Sequence, residues 1–176
     1  LMELNPNAVS VTYGAGGSNQ ERTLAVVDRM APQVATIGHL TCVNSTREQI
    51  ETIIRRFETA GVAGILALRG DAPKDADADS AVGDFHSALE LIQVASQVSA
   101  LDIGVAAFPE VHPESPDMEH DCRVLKLKQD AGASFAITQL FFDAEAYWRL
   151  IDSTKAHGVD LPITPGLMPI ANAKQV

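Results

Sequence analysis

The sequence alternates between short apolar runs rich in β-branched residues and longer segments with helical periodicity, about six times over. The alternation predicts strands at 8–13, 34–42, 62–68, 103–108, 133–142 and 161–167. Between the second and third strands, Ile50, Ile53, Ile54 and Phe57 lie on one face of a helix. Repeated βα units of this kind predict a parallel α/β fold, with residues 1–176 in a single domain.

Two architectures fit this pattern. One is an open, doubly wound sheet. The other is a (β/α)8 TIM barrel, which typically takes roughly 250 residues when complete. Residues 1–6 read as the end of a helix and a turn, and residues 172–176 read as the start of another helix. We therefore expect an incomplete barrel that lacks its first and last strands.

Helix boundaries are predicted from capping residues. Ser18 with Glu21, and Ser45 with Glu48, have the spacing of capping boxes. Pro116 is predicted at the first position of a helix, and Asp143 is predicted as the N-cap of the next. The segment that carries Phe85, Leu89, Ile92 and Ala95 is predicted to be helical, and glycines 61, 132 and 158 are predicted helix ends.

Composition excludes several classes of protein. The formal net charge of −10 argues against a chain that binds nucleic acid or an anionic membrane by charge. The longest apolar runs fall well short of the roughly 20 residues of a membrane span. The two cysteines, Cys42 and Cys122, lack the CxxC spacing and predict a reduced, cytoplasmic protein. Both are predicted to pack in the core, as is the region around Trp148.

Polar residues stand at the ends of the predicted strands. Examples are Thr12, His39, Arg69, His112 and Gln139. In either architecture the carboxyl ends of parallel strands meet on one face, where ligands bind. The pattern therefore predicts a small-molecule site, without specifying the molecule.

Several alternatives remain open for these residues. Arg69 and Asp71 can pair with each other, although Gly70 between them suggests close approach by another group. Gln139 interrupts an apolar strand and needs a buried partner. His39, Asp71 and His112 can in principle form the metal site of a barrel hydrolase. The glycine run at 14–17 can accept a phosphate, but it is a weak signal.

Seven motifs resemble those of one known family, and they occur in the same order along the chain. They are VSVTYGAGGS at 9–18, HLTC at 39–42, ALRGD at 67–71, AFPEVHPE at 107–114, DAGA at 130–133, ITQLFF at 137–142, and Pro165-Gly166 with Pro169. Together they resemble methylenetetrahydrofolate reductase. The resemblance implies a (β/α)8 barrel with non-covalent FAD. It also implies hydride transfer from NADH or NADPH to FAD and then to 5,10-methylenetetrahydrofolate, by ping-pong kinetics.

The resemblance also implies roles for individual residues. Those implied to contact FAD are Thr12, His39, Arg69, Gly70, Asp71, Ala88, Phe108, His112, Asp121 and Lys128. Asp121 and Lys128 are implied at the ribose or diphosphate end of the cofactor. The implied folate contacts are Asp71, Gln139 and Gln175. Asp71 is implied to lie near both flavin and folate, where its charge disfavours negative charge on the flavin and stabilises a cationic folate. No metal is implied.

Departures from the family pattern accompany the resemblance. Phe108 stands where many members have tyrosine, and Ser87 replaces an aromatic residue. Val124 and Leu127 occupy positions that are polar or basic in some members. The family's general acid, a glutamate on the first barrel strand, has no counterpart in the 176 residues, so we expect this chain alone to be inactive. The family implies a homo-oligomer and leaves NADH or NADPH open, and a non-catalytic flavin- or folate-binding module is a further alternative.

Overall fold

The fold is known from a computed structural model, which describes residues 2–12, 20–70 and 83–168. After a short 3-10 helix at Met2–Leu4, strands and helices alternate. The strands are β1 (Ala8–Val11), β2 (Ala35–Thr41), β3 (Gly64–Leu68), β4 (Asp102–Ala107), β5 (Phe135–Thr138) and β6 (Ile163–Thr164). The helices are α1 (Gln20–Met30), α2 (Arg47–Ala60), α3 (Ala88–Val98), α4 (Met118–Asp130) and α5 (Ala144–Ala156).

All six strands form one parallel sheet, and their spatial order follows their order in the chain. A doubly wound sheet instead reverses its strand order at a switch point. The sequential order therefore excludes the open doubly wound alternative for the described strands and matches part of a (β/α)8 barrel. The predicted parallel α/β fold is confirmed.

The two faces of the sheet have different environments. On the outer face, Ile65 and Val105 lie in a buried core with Ile54, Phe57 and Leu91 from the helices. The inner face is only partly covered: Ile37, His39 and Thr41 of β2 alternate with fully buried residues and are themselves half-buried. This alternation places His39 on the inner face.

Phe135 and Gly104 fit together on the inner face. The two residues are direct partners in neighbouring strands. A Cβ atom on Gly104 would lie 2.3 Å from the Phe135 ring, so the ring occupies the space above the glycine. A larger residue than glycine at position 104 would therefore displace the ring.

Helix α2 begins one residue later than the capping pattern predicts. Its N-cap is Thr46, which forms a capping box with Gln49 instead of Ser45 with Glu48. Ser45 is held in the preceding turn because its N–H donates to Cys42 O (3.2 Å) and its carbonyl accepts from Asp84 N (3.0 Å). The Ser18–Glu21 box and the glycine run at 14–17 lie outside the described residues.

Other predicted boundaries are also wrong; β6, for example, spans only Ile163–Thr164 and not 161–167. Helix α4 begins at Met118, not Pro116, because the Asp117 carboxylate accepts from His120 N–H (2.7 Å) and makes Asp117 the N-cap. Helix α3 begins at Ala88, so the buried Phe85 precedes it. Strand β5 ends at Thr138. Gln139 N–H still donates to Ala107 O of β4 (2.8 Å), but Leu140 N–H donates to the Gln139 side chain instead of to a neighbouring strand.

Other predicted features are confirmed. Asp143 is the N-cap of α5, and Gly61 ends α2 in the left-handed conformation. Cys42 and Cys122 are buried free thiols. Trp148, in contrast, is 58% exposed and does not belong to the core. None of the helices in the described parts of the chain is both long and apolar enough to cross a membrane.

Candidate functional site

A cavity of about 270 Å³ opens near the carboxyl end of β4, between the beginnings of α3 and α4. Six of the residues that the sequence assigned to a cofactor line it: Arg69, Ala88, Phe108, His112, Asp121 and Lys128. They come from two βα connections, β3–α3 and β4–α4, and from helices α3 and α4. Of the polar residues predicted at strand ends, Arg69 and His112 line this cavity.

Arg69 follows β3 and is fixed by an acidic partner across the cavity mouth. Its guanidinium donates two hydrogen bonds to the Glu114 carboxylate, at 2.8 and 2.9 Å. These hydrogen bonds, together with the charge of Arg69, lower the pKa of Glu114. Arg69 also anchors the chain locally, since its carbonyl accepts from Val43 N–H (2.9 Å).

Gly70 has a structural reason to be glycine. Its φ of +86° is in the left-handed region, and an added Cβ would lie 2.8 Å from Val43 Cγ1 and 3.0 Å from Thr41 Cβ. The close approach predicted for this position is therefore made by the protein's own β2–α2 loop. Gly70 is not among the residues that line the cavity.

The loop between β4 and α4 presents an aromatic pair. Phe108 and His112 contact each other edge to face, with ring centroids 4.6 Å apart. His112 Nδ1 accepts from Glu114 N–H (3.0 Å), which leaves the proton of a neutral ring on Nε2. Between them, the β-branched Val111 has a φ of +69°, a strained conformation of the kind found at functional sites.

Asp121 and Lys128 lie on α4 and line the cavity. The Asp121 carboxylate accepts from His112 N–H (2.7 Å) and from the Ser115 hydroxyl. Burial lowers the pKa of Lys128, and the nearby charge of Asp121 opposes this shift. A partly buried cation and a fixed carboxylate thus share one end of the cavity.

Helix α3 contributes its N-terminus. Ser87, at the position where the resemblance expects an aromatic residue, is the N-cap and accepts from Glu90 N–H (3.4 Å). Ala88 is the first helical residue and lines the cavity. The first N–H groups of a helix lack intrahelical acceptors, so this end of the cavity is suited to an anion.

Val124 and Leu127 differ in their placement on α4. Val124 lines the cavity, whereas Leu127 is 54% exposed and does not. Of the two departures from the family pattern, the apolar residue at position 124 is therefore the one that changes the cavity wall.

The remaining predicted residues lie elsewhere. Thr12 is exposed just after β1, and His39 is half-buried within β2, where burial lowers its pKa. Gln139 is exposed, which contradicts its predicted burial, and its Oε1 accepts from Leu140 N–H (2.8 Å). With Phe108 and His112 it lines a second cavity of about 480 Å³. Asp71 and Gln175 lie outside the described residues.

A search for metal ligands covers only the described residues. Within 2–12, 20–70 and 83–168, no group of three or more His, Cys, Asp or Glu side chains could hold a metal ion. Asp71, which the hydrolase alternative requires together with His39 and His112, lies outside these described residues.

Sequence reasoning missed Glu114 and Ser115, both of which line the first cavity. Glu114 stands inside the AFPEVHPE motif, but its position gave no indication that it would meet a residue 45 positions away. Ser115 precedes Pro116, the predicted first residue of a helix, and its hydroxyl instead bonds to Asp121.

The sequential parallel sheet, with a cavity near its carboxyl end, is the arrangement of part of a (β/α) barrel. The family profile described as methylenetetrahydrofolate reductase matches residues 1–176. The chain belongs to the methylenetetrahydrofolate reductase family.

Curated relatives agree with this assignment. The chain is 40% identical over 178 residues to the 5,10-methylenetetrahydrofolate reductase of Pectobacterium carotovorum subsp. carotovorum, covering 100% of this chain and 58% of that protein. It is 41% identical over 179 residues to the enzyme of the same name from Escherichia coli (strain K12), covering 99% and 58%. The chain thus spans 58% of the length of these two relatives.

Solved structures share the fold at low sequence identity. A phosphonopyruvate hydrolase in complex with oxalate and magnesium superposes with a TM-score of 0.67 at 12% identity, over 99% of this chain and 64% of that one. An oxaloacetate acetylhydrolase superposes with a TM-score of 0.60 at 14% identity, over 99% and 72%. These similarities concern the fold alone.

Proposed function

We propose that the complete protein is a flavin-dependent reductase. It converts 5,10-methylenetetrahydrofolate to 5-methyltetrahydrofolate, with non-covalent FAD and with NADH or NADPH as reductant. One observation carries the proposal: six residues that the family resemblance assigns to FAD line a single cavity. Family membership over residues 1–176 supports the reaction.

The cavity's charges fit part of such a cofactor. FAD carries an anionic diphosphate, and Lys128 and the N-terminus of α3, which both border the cavity, provide positive electrostatics. Asp121 receives two protein hydrogen bonds, and a carboxylate has further lone pairs that can accept from a ribose hydroxyl. At about 270 Å³ the cavity lies just below the ~300–1,000 Å³ range of ligand pockets, so it would enclose only a portion of FAD.

The chain's residues would bind and orient reactants. Bound FAD would supply hydride transfer. Arg69 would provide a fixed cation and His112 an Nε2–H donor, while Phe108 offers an apolar face without the hydroxyl of tyrosine. Asp71 would tune the charge between flavin and folate.

The proposal extends to substrate contacts, location and assembly. Thr12, His39 and Gly70 would complete the flavin contacts, and Gln139 and Gln175 would contact the folate. The second cavity, which Gln139 lines with Phe108, is adjacent space for that substrate. We propose that the complete protein is a homo-oligomer in the cytoplasm. The two buried free thiols are consistent with that reducing compartment.

The test uses the full-length protein, because the chain spans 58% of the two relatives' length. Purified protein should show flavin absorbance, or should bind FAD on titration after the cofactor is removed. It should then oxidise NADH or NADPH with 5,10-methylenetetrahydrofolate as acceptor. Protein that neither contains nor binds FAD would end the proposal. Stoichiometric zinc in an elemental analysis would instead support the hydrolase alternative, and FAD binding without reductant oxidation would support a binding module.

A further inference from the structure

We propose that Glu114 is a positioning residue for the cofactor site, acting through Arg69. This inference rests on the proposed FAD-binding function and deepens it. Glu114 would hold the Arg69 guanidinium in a fixed plane at the cavity mouth, so that the cation is already ordered when the anionic cofactor arrives.

The geometry of the pair supports an orienting role. Both guanidinium nitrogens Nη1 and Nη2 donate to separate oxygens of the same carboxylate, at 2.8 and 2.9 Å. A two-point contact of this kind fixes direction as well as distance. The side chains come from the end of β3 and from the β4–α4 loop, so the contact links two elements that both border the cavity.

The contribution of the pair to folding should be small. The Arg69 and Glu114 side chains are 48% and 62% exposed, and exposed ion pairs contribute little to stability. What remains is the effect on side-chain order. Arginine has many rotamers, and holding it in one before the ligand binds lowers the entropy cost of binding.

Glu114 also contacts a second residue of the site through its backbone. Its N–H donates to His112 Nδ1 (3.0 Å), and His112 N–H in turn donates to Asp121 Oδ2 (2.7 Å). Arg69, His112 and Asp121 all line the cavity, and hydrogen bonds through Glu114 and His112 join them in one chain. The Glu114 carboxylate therefore sets the position of the Arg69 guanidinium relative to His112 and Asp121.

A matched control exists on α4. Arg123 and Glu119 form an ion pair with similar exposure, 59% and 64%, but with one contact of 3.4 Å, and neither residue lines the cavity. Replacing either glutamate by glutamine removes one negative charge from the surface. Only Glu114→Gln disturbs the cavity mouth.

The experiment measures FAD affinity of the full-length protein after cofactor removal. Glu114→Gln should raise the Kd for FAD about three- to fivefold. Glu114→Asp, which keeps the charge but shortens the reach, should give a smaller increase. Glu119→Gln should leave the Kd unchanged, and the Tm of each cofactor-free variant should stay within about 2 °C of wild type.

A double-mutant cycle separates positioning from general damage. In an Arg69→Ala background, Glu114→Gln should cause no further loss of FAD affinity, because the residue it acts through is gone. An equal loss in both backgrounds, or an unchanged Kd in the single variant, would overturn the inference while leaving the proposed function intact. Wild-type protein that binds no FAD would overturn both.

Discussion

Gly70 shows how a single residue joins β3 to the loop beside it. Replacing it by alanine combines left-handed strain at φ +86° with overlap onto Val43 and Thr41. We expect Gly70→Ala to lower the free energy of unfolding by about 2 kcal/mol or more. Gly61→Ala is the control, since its φ is +76° but nothing lies within 4 Å of an added Cβ. It should cost about 1 kcal/mol.

Urea unfolding of the full-length protein measures both variants. Equal losses for Gly70→Ala and Gly61→Ala would show that the contact with Val43 and Thr41 relaxes at little cost, leaving only backbone strain.

Lys128 is expected to lower the stability of the folded protein and to strengthen FAD binding. Burial lowers its pKa below the ordinary value of 10.5, so between the two pKa values the folded state binds fewer protons than the unfolded state. Stability therefore rises with pH across that alkaline window, and the full penalty is present at neutral pH. Lys128→Met should stabilise the cofactor-free protein at pH 7 and abolish the alkaline rise. It should also weaken FAD binding roughly tenfold or more, because the cation proposed to attract the diphosphate is lost.

The control for this variant is Lys126→Met on the same helix. Lys126 pairs with Asp130 and does not line the cavity, so FAD affinity should not change. Denaturant unfolding at several pH values and FAD titration give the two readouts. A Lys128→Met protein with unchanged FAD affinity would remove Lys128 from the proposed site.

At the scale of elements, the start of α2 provides a direct test of the observed cap. Thr46 accepts from Gln49 N–H in a capping box, whereas Ser45 lies in the preceding turn. Thr46→Ala should lower stability by about 1 kcal/mol. Ser45→Ala should change it by less than about 0.5 kcal/mol. The reverse ranking in thermal or urea unfolding would restore the boundary that the Ser45–Glu48 pattern predicts.

The order of the elements could be predicted from sequence because it depends on local periodicity. Their ends could not always be predicted, since two neighbouring residues can satisfy one pattern: Ser45 with Glu48 and Thr46 with Gln49 have the same spacing. The apolar run after Gln139 extended the predicted β5 to residue 142, but apolar residues also cover other surfaces, and the strand ends at Thr138.

The site, too, could be predicted only in part. Parallel strands bring their carboxyl ends together, so residues such as Arg69 and His112 could be placed on one face before the structure was known. The partner of Arg69 could not be predicted. Glu114 lies 45 residues away, and its contact with Arg69 depends on the conformation of the β4–α4 loop, which the local sequence pattern does not specify.

For the molecule as a whole, the two cysteines report on the intactness of the fold. Cys42 and Cys122 are 0% and 1% exposed; burial raises the pKa of Cys42 to about 11 and also raises that of Cys122. The thiolate is the reactive form, so labelling of Cys42 at pH 8 should be about 100-fold slower in the native protein than in urea, and labelling of Cys122 should also be slower. Mass spectrometry of peptides after alkylation resolves the two positions. Fast native labelling of Cys42 would contradict the packing at the end of β3.

The fit of the Phe135 ring over Gly104 has a consequence for evolution. Space for the ring exists only because residue 104 has no side chain, and space for a side chain at 104 would exist only without the ring. The two positions should therefore vary together among homologous sequences. Members with alanine or a larger residue at the position of Gly104 should carry a smaller, non-aromatic residue at the position of Phe135. During evolution, the ring at position 135 should be lost before a side chain appears at position 104.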